Sequence, residues 1–292
     1  MNQSSQYLIG MDGGGTGCRV AISDADGKIV GLATGGAANY TSDHAGTARN
    51  LLHALAAAAS SAGLSLDQLA EAPAHIGLAG IMSPKDAAAF AADVPLRHAT
   101  VTDDQLIAVV GALGDRDGAL VAIGTGSFVA VKLGDDIRYL GGWGLQLGDQ
   151  ASGAWIGRAI LQRCAMVSDG LLDRSDMVDA HLASFDSDAS ALIAFARHAS
   201  PAEYAKFAPV ILDAAEAGDV NAIAVMAEGT DYLNHCLHAA QLADKDVVCL
   251  TGGIGPRFAQ WLDGSFQARL TEPMGTALDG ALHLARQMAR AP

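Results

Sequence analysis

The stretch Tyr7–Ser23 decides the fold: it reads YLIGMDGGGTGCRVAIS, with Asp12 and three glycines between two apolar runs. Apolar runs on both sides of such a glycine cluster predict a strand, a tight turn and a second strand. Glycine permits positive φ and close backbone approach, so several N–H groups could converge on one anion, and the threonine adds a hydroxyl donor. The predicted phosphate-binding residues are Gly13, Gly14, Gly15 and Thr16. A plain glycine hairpin is the alternative, although ordinary hairpins need only one or two such residues.

Two common phosphate loops do not fit the residues that follow the glycines. A dinucleotide-binding fingerprint or a Walker loop leads directly into a helix whose N-terminus holds the phosphate. Here Cys18–Ser23 reads as a strand, and the chain contains no Gly-Lys-Ser/Thr. The anion would therefore lie over a β-hairpin. Asp12 is placed to hold Mg²⁺ through water, because Mg²⁺ keeps most of its hydration shell.

Composition limits the class of protein and its partners. The chain has 292 residues, half of them apolar, which is long for one domain and comfortable for two. It carries 18 Lys and Arg against 32 Asp and Glu, a formal charge of −14. Binding to a nucleic-acid backbone needs a basic face, so we expect no nucleic-acid partner. A bound nucleotide would be held by local N–H groups and a metal ion.

The cysteines and the N-terminus bear on the compartment. Four cysteines lie far apart, without a Cys-x-x-Cys pair, and read as buried thiols in a reducing compartment. The start Met-Asn-Gln-Ser-Ser lacks a signal-peptide pattern, and no run reaches about 18 apolar residues. We expect a cytoplasmic protein that does not enter a membrane.

The order of elements occurs twice along the chain. In the first 115 residues we predict a three-stranded meander and then helices and strands in alternation: helix 43–62, strand 75–79, a helix opened by Ser83-Pro84, strand 99–102 and helix 106–113. A second meander follows, with strands 119–123, 128–133 and 137–140. Its first turn is a second candidate phosphate loop formed by Gly124, Thr125, Gly126 and Ser127. The repetition implies a duplicated fold with a cleft between the halves.

The rest of the chain is mainly helical. Helical periodicity runs from Ala151 to about Ala243, with breaks near Ser200-Pro201 and residues 217–219. We further predict strand 247–250 leading into Gly252 and Gly253, a strand over 266–270 and a closing helix over 276–288.

A glycine-rich segment joins the second meander to the helical region. Gly141–Ile156 reads GGWGLQLGDQASGAWI, and its Asp149 and Gln150 are short polar groups suited to sugar hydroxyls. A helix N-cap at Asp149 or Ser152 is the alternative. A capped helix would not need four upstream glycines.

Together, these motifs resemble the sugar kinase, heat-shock protein and actin superfamily, and within it the BadF/BadG/BcrA/BcrD ATPase family and its amino-sugar kinases. The resemblance implies an α/β fold of two actin-like (ribonuclease H-like) domains, each a mixed five-stranded sheet with flanking helices, separated by a cleft. The implied domains are residues 1–115, with helix 279–292 packing back on them, and 116–278. It also implies a homodimer.

The resemblance also implies roles for single residues. The first loop would hold the β- and γ-phosphates of ATP, the second loop their far side, and Gly252 and Gly253 would lie against adenosine. Asn39 matches a sugar-contacting asparagine of these kinases. The implied sugar-binding residues are Asn39, Asp104, Gly144, Asp149 and Gln150.

The implied reaction is ATP-dependent phosphorylation of the 6-hydroxyl of glucosamine or N-acetylglucosamine. A kinase of this kind needs a base beside the acceptor hydroxyl, with Mg²⁺ and backbone donors on the transferred group. Asp104, at the end of a strand, fits the family pattern of an Asp before a small-residue helix. Asp103 is the alternative base, and either residue could simply cap the helix. Closure of the cleft would assemble the site and exclude water.

Three rival functions remain. An ATP-hydrolysing activator of a 2-hydroxyacyl-CoA dehydratase would need clustered cysteines, and a repressor-type sugar kinase usually carries a cysteine zinc site or a helix-turn-helix. Both features are absent from the sequence. A sugar-sensing protein or actin-like filament is disfavoured by Asp104 and the sugar signature. Related N-acetylglucosamine kinases have Glu where this chain has Gln150, so the acetyl group on the substrate is left open.

Overall fold

The computed structural model describes residues 6–290, which form two compact units. The first unit combines the chain up to Asp115 with the chain from Pro273 onward, and the second unit is Arg116–Glu272. The strands are β1 Tyr7–Gly13, β2 Cys18–Asp24, β3 Ile29–Gly35, β4 Ala74–Leu78, β5 Ala99–Thr102, β6 Gly118–Ile123, β7 Ser127–Leu133, β8 Asp136–Gly141 and β9 Val247–Thr251. The helices are α1 His44–Ser61, α2 Leu66–Leu69, α3 Pro84–Ala92, α4 Asp104–Leu113, α5 Gly153–Ser168, α6 Asp176–Ala183, α7 Ala189–His198, α8 Pro201–Ala205, α9 Ala208–Glu216, α10 Val220–Ala239, α11 Gly264–Gln267 and α12 Ala277–Arg290.

The first unit is built on a five-stranded mixed sheet in the order β3-β2-β1-β4-β5. Strand β1 pairs antiparallel with β2 and parallel with β4, and β4 pairs parallel with β5. Helices α1 and α3 begin as predicted: Asp43 accepts the Gly46 N–H, and Ser83 accepts the Asp86 N–H with proline at the first helical position. The carboxyl ends of β1, β4 and β5 therefore share one edge of this sheet.

Two glycines let α4 and α12 pack at very short range inside the first unit. A Cβ at Gly111 would lie 1.9 Å from the Thr276 carbonyl oxygen, and a Cβ at Gly280 would lie 2.0 Å from that of Ile107. Larger side chains at these positions would force the helices apart. The close packing fixes α4, whose first residue is Asp104.

The second unit repeats the central strand pairing of the first on a four-stranded sheet in the order β8-β7-β6-β9. Strand β6 pairs antiparallel with β7 and parallel with β9, as β1 does with β2 and β4. The sheet has four strands where five were expected, because the predicted strand 266–270 is wrong. Residues Gly264–Gln267 form α11, and only Leu270 makes an isolated bridge, to Val248.

The helical part of the second unit packs around α5. The two predicted breaks are present: Ser200 caps α8 in a capping box, and Asp219 caps α10 after Gly218, which has φ of +94°. Further breaks between α5 and α6 and between α6 and α7 were not predicted. Trp155 and Ile156 near the start of α5 are buried in the core of this unit. Among residues 6–290, no helix combines the length and apolar character needed to cross a membrane.

Candidate active site

The hairpin loop of the first unit has the predicted form of strand, turn and strand. Asp12 pairs with Arg19 and Gly13 with Cys18 across the hairpin, and the Gly14 N–H donates to the Gly17 carbonyl at 2.9 Å. None of the loop glycines, at positions 13, 14, 15 and 17, adopts the left-handed φ that glycine permits. The positive φ considered from the sequence is therefore not what selects glycine here.

The steric space around the loop explains better than φ why glycine occupies these positions. A Cβ at Gly13 would lie 2.6 Å from Leu78 Cδ1, whereas a Cβ at Gly15 would meet nothing within 4 Å. The first glycine is required for packing against β4, and the tip of the loop stays open. Backbone N–H groups at the tip can therefore be approached closely by a ligand.

An ion pair lies at the mouth of this loop. Arg19 Nη2 lies 2.5 Å from Asp12 Oδ2, and the Asp12 side chain is only 13% exposed while that of Arg19 is 51% exposed. Both residues line a cavity of about 330 Å³, together with Gly14, Thr16, Gly17, Cys18, Thr34 and Gly35. Arg19 was not predicted as a site residue, although its place opposite Asp12 follows from a four-residue turn at 14–17. The cavity combines one cation, one carboxylate and open backbone.

The structure gives Asp103 and Asp104 different tasks. Asp103 is the N-cap of α4, and its Oδ1 accepts the Leu106 N–H at 2.9 Å. Asp104 is the first residue of α4 and is partly buried. Burial, and then the negative charges of Asp103 and Asp12, raise the pKa of Asp104 from an ordinary 3.8 to about 6. The capping role considered for either residue falls on Asp103.

A buried histidine supports the strand end before these two carboxylates. The Thr102 hydroxyl donates to the Asp103 carbonyl at 2.9 Å, and His75 Nε2 lies 3.1 Å from the same hydroxyl oxygen. Burial lowers the pKa of His75 to about 4, so the ring is neutral near pH 7. His75 therefore ties β4 to the end of β5 without adding charge.

Asn39 lies beside the same edge of the first sheet. The preceding Ala38 N–H donates to the Gly14 carbonyl at 2.8 Å, and Asn39 itself bridges to Ala79 at the end of β4. The Asn39 Oδ1 accepts the Ser42 N–H at 3.0 Å, which fixes the side chain. The structure thus brings the first glycine loop, Asn39 and Asp104 to one edge of one sheet.

In the second unit, the second glycine loop is bonded to the start of α5. The Gly124 N–H donates to the Gly126 carbonyl at 2.9 Å, which closes the turn. The Gly153 N–H then donates to the Gly124 carbonyl at 2.8 Å, and the Ala154 N–H to the Thr125 carbonyl at 3.1 Å. The loop and the helix N-terminus form one hydrogen-bonded block.

The sugar-signature segment belongs to the same block. Asp149 Oδ1 accepts the Gly144 N–H at 3.0 Å, and the Ser127 hydroxyl donates to the Gln150 carbonyl at 2.7 Å. Burial raises the pKa of Asp149, and the Gly144 hydrogen bond opposes that rise. Ser152 is the N-cap of α5, so the capping alternative for Asp149 is wrong. The Asp149 side chain is held by the Gly144 N–H and does not cap the helix.

The late glycine pair lies at the end of β9, next to the second loop. Gly252 has φ of +86°, and a Cβ there would lie 2.2 Å from the Ile123 carbonyl oxygen, so no other residue fits. A Cβ at Gly253 would meet nothing within 4 Å. Gly253 therefore offers an open backbone surface just after β9.

The donor set of the first unit fits a magnesium ion held mainly by water and phosphate. Among residues 6–290, no group of three or more His, Cys, Asp or Glu could hold a metal by itself. Mg²⁺ usually takes only one or two protein carboxylates when it is bound with a nucleotide. The low exposure of Asp12 and its open cavity match that need. The four cysteines are free and buried, as predicted.

Comparison with known proteins agrees with the class that the fold and these loops define, an actin-like ATPase. The model of the BadF/BadG/BcrA/BcrD ATPase family matches residues 9–272. The chain belongs to this family, so the resemblance read from the sequence is confirmed. It is 30% identical to the glucosamine kinase GspK of Vibrio cholerae over 280 residues, which cover 96% of this chain and 95% of the relative.

Solved structures support the same fold. A candidate N-acetylglucosamine kinase from Chromobacterium violaceum superposes with a TM-score of 0.87 at 34% identity, covering 97% of this chain and 99% of that one. A ROK family glucokinase from Streptomyces griseus, in complex with glucose and AMPPNP, gives 0.60 at 21% identity, covering 96% and 99%. The predicted α/β fold class is confirmed. The relatives that match along the whole chain support the predicted enzyme class, an ATP-dependent amino-sugar kinase.

Proposed function

We propose that this protein transfers the γ-phosphoryl group of ATP to the 6-hydroxyl of glucosamine or N-acetylglucosamine. The observation that carries the proposal is Asp104, a partly buried carboxyl group at the sheet edge that also bears the open glycine loop. The similarity to a glucosamine kinase along 96% of the chain supports the class of acceptor.

Asp104 is the proposed general base. With a pKa of about 6 it is mostly ionised at pH 7 to 8, yet it is more basic than an ordinary aspartate. It accepts the proton of the sugar hydroxyl as that oxygen attacks the γ-phosphorus. Asp103 holds the start of α4 and thereby orients its neighbour.

The two glycine loops bind the nucleotide phosphates in this proposal. Backbone N–H groups of Gly13–Thr16 and Gly124–Ser127 donate to phosphate oxygens, and Gly252 and Gly253 contact the adenosine. Arg19 is half exposed and can donate to a phosphate oxygen from the wall of its cavity. Asp12 would hold Mg²⁺ through water, and the bound ion would neutralise charge on the β- and γ-phosphates.

Short polar side chains would orient the sugar in this proposal. Asn39 has Oδ1 engaged with its own turn, which leaves Nδ2 to donate to a hydroxyl. Gly144, Asp149 and Gln150 supply the remaining contacts from the segment fixed to the second loop. Orientation of this kind aligns the acceptor with the phosphorus and is a main source of rate in phosphoryl transfer.

A coupled assay of ADP release tests the proposal directly. Glucosamine, N-acetylglucosamine, mannosamine and glucose are compared at equal concentration, and phosphorus NMR of the product identifies the phosphorylated oxygen. We expect release that depends on an amino sugar and yields a 6-phosphate. ATP hydrolysis that no sugar accelerates would instead favour a dehydratase-type activator, and sugar binding without turnover would favour a sensor.

A further inference from the structure

Gln150 lies between two residues with unusual backbone geometry. Asp149 has φ of +58° and Ala151 has φ of +68°, a left-handed conformation that non-glycine residues rarely adopt. Such strain is kept only where the surroundings enforce it, and it clusters at binding sites. Asp186, Ser187 and Gln241 share this conformation, so the strain by itself does not identify a site.

Neighbouring contacts hold the strained segment in place. The Ser127 hydroxyl donates to the Gln150 carbonyl at 2.7 Å, and the Ser152 N–H donates to that of Asp149 at 3.0 Å. Ala151 is fully buried against α10, where a Cβ at Gly229 would lie 3.1 Å from its Cα. The backbone of Gln150 is therefore fixed, and its side chain projects from a rigid base.

The side-chain oxygen of Gln150 is buried and has no hydrogen-bond donor among the described residues. A buried acceptor without a donor is uncommon, because it gives up water and gains nothing in exchange. A Cβ at Gly148 would lie in ordinary contact with this oxygen, at 3.6 Å. The nearby acceptor, Asp149 Oδ1, already receives the Gly144 N–H. Gln150 Oε1 is the acceptor that still lacks a donor.

We propose that Gln150 Oε1 accepts a hydrogen bond from the nitrogen at C2 of the sugar, and that this contact favours amino sugars over sugars that have no hydrogen-bond donor at C2. The inference rests on the proposed kinase function. An ammonium or amide N–H at C2 donates to such an acceptor, whereas the C2 methylene of 2-deoxyglucose cannot and would leave the oxygen without a donor. A carboxamide supplies that acceptor without placing a second negative charge beside the buried Asp149.

The test compares sugars that differ only at C2. Wild-type protein and Gln150→Met are assayed with glucosamine and with 2-deoxyglucose, which has no donor at C2. We expect the wild type to prefer glucosamine by about ten- to a hundredfold in kcat/KM, the worth of one hydrogen bond to a buried acceptor. Gln150→Met should bring the preference close to one. An equal loss on both sugars would overturn the inference.

Two further variants separate the contact from a general effect on the fold. Gln150→Glu keeps an acceptor oxygen and should retain the preference for glucosamine. Gln146→Met alters an exposed glutamine of the same segment and should change neither sugar. Loss of the preference in Gln146→Met would also count against Gln150 as the selective residue.

Failure of the inference and failure of the proposed function are distinguishable. If the wild type phosphorylates amino sugars and Gln150→Met leaves the preference unchanged, only the inference fails. If no sugar is phosphorylated, the function fails, and calorimetric binding of the same two sugars decides the inference. Absence of binding to either sugar would overturn both.

Discussion

The two glycine loops occupy equivalent places in their sheets but differ in what surrounds them. In the first unit the loop faces Asp12, Arg19 and, along the same edge, Asp104, and its tip is open. In the second unit the loop is bonded through its backbone to α5 and through the Ser127 hydroxyl to the segment holding Asp149. The same strand pairing therefore supports a charged, open site in one unit and a rigid, mostly neutral site in the other. In our proposal the first unit supplies the general base and the carboxylate that holds the metal, and the second supplies most of the sugar contacts.

The largest effect that would test this division is expected at Asp12. Asp12→Ala should reduce phosphorylation to background and weaken Mg·ATP binding, because it removes the carboxylate proposed to hold the metal. The hairpin should survive, since its register is set by backbone pairing. Isothermal calorimetry with Mg·ATP and circular dichroism check both points. Arg19→Ala breaks the same ion pair but leaves the carboxylate, so it should weaken Mg·ATP binding through the lost phosphate contact and weaken it less than Asp12→Ala does. Unchanged Mg·ATP affinity in folded Asp12→Ala would remove the metal role.

Asp104→Asn should affect the chemical step and leave binding intact. The amide keeps the shape of the side chain but cannot take the proton, and general-base assistance is typically worth about 10²- to 10⁴-fold in rate. Steady-state kinetics should show kcat reduced by that range with little change in either KM. Asp103→Asn should be much milder, because asparagine is also a good N-cap. The reverse order of the two variants would make Asp103 the base.

Asp149→Asn should raise the KM for the sugar and leave nucleotide affinity unchanged. Asparagine tolerates the left-handed φ at this position and can still accept the Gly144 N–H. Only the charge is lost, so the sugar KM should rise about tenfold, the difference between a charged and a neutral acceptor. Calorimetry with sugar alone and with Mg·ATP alone separates the two ligands. Loss of ATP binding with sugar binding intact would assign the segment to the nucleotide.

The sequence predicted the features that depend on neighbouring residues. The hairpin at Tyr7–Ser23, the caps at Asp43 and Ser83 and the start of α4 all follow from local patterns. The strand 266–270 failed because Phe266 and Leu270 are four residues apart, a spacing that suits one face of a helix as well as a strand. Phe266 lies in α11 and is buried there.

Features that depend on the folded surroundings could not be predicted. The left-handed φ at Asp149 and Ala151 is imposed by bonds to Ser127 and by packing on α10, and neither residue type signals it. The raised pKa of Asp104 likewise depends on burial and on Asp12, 92 positions earlier in the sequence. The pairing of Arg19 with Asp12 is different, because it could have been predicted from the strand register of the hairpin alone.

The pH dependence of kcat/KM should report Asp104 in the first unit. Asp104 acts as a base only when ionised, so kcat/KM should fall as the pH decreases through about 6, by about tenfold for each further unit. A pH profile from 4.5 to 8 checks this. The acid limb should be absent in Asp104→Asn, measured on its residual activity. Persistence of the same limb in that variant would assign it to another group.

The smallest effect concerns stability. The pKa of Asp104 is higher in the folded protein than the ordinary 3.8, so between about pH 4 and 6 the folded state binds more protons than the unfolded state. Stability from this group is therefore highest at low pH and falls as the pH rises to about 6, after which a constant cost remains. A shift of about two pKa units corresponds to at most about 3 kcal/mol, and partial exposure of the side chain reduces this free energy to about 1 to 2 kcal/mol.

Asp104→Asn should thus raise the free energy of unfolding at pH 8 relative to the wild type, and the gain should shrink towards pH 4. Urea denaturation at both pH values measures the difference, with Gln105→Ala as a neighbouring substitution that changes no ionisable group. An equal difference at pH 4 and pH 8 would mean that folding does not raise the pKa of Asp104. The physical basis for choosing Asp104 as the base would then be lost.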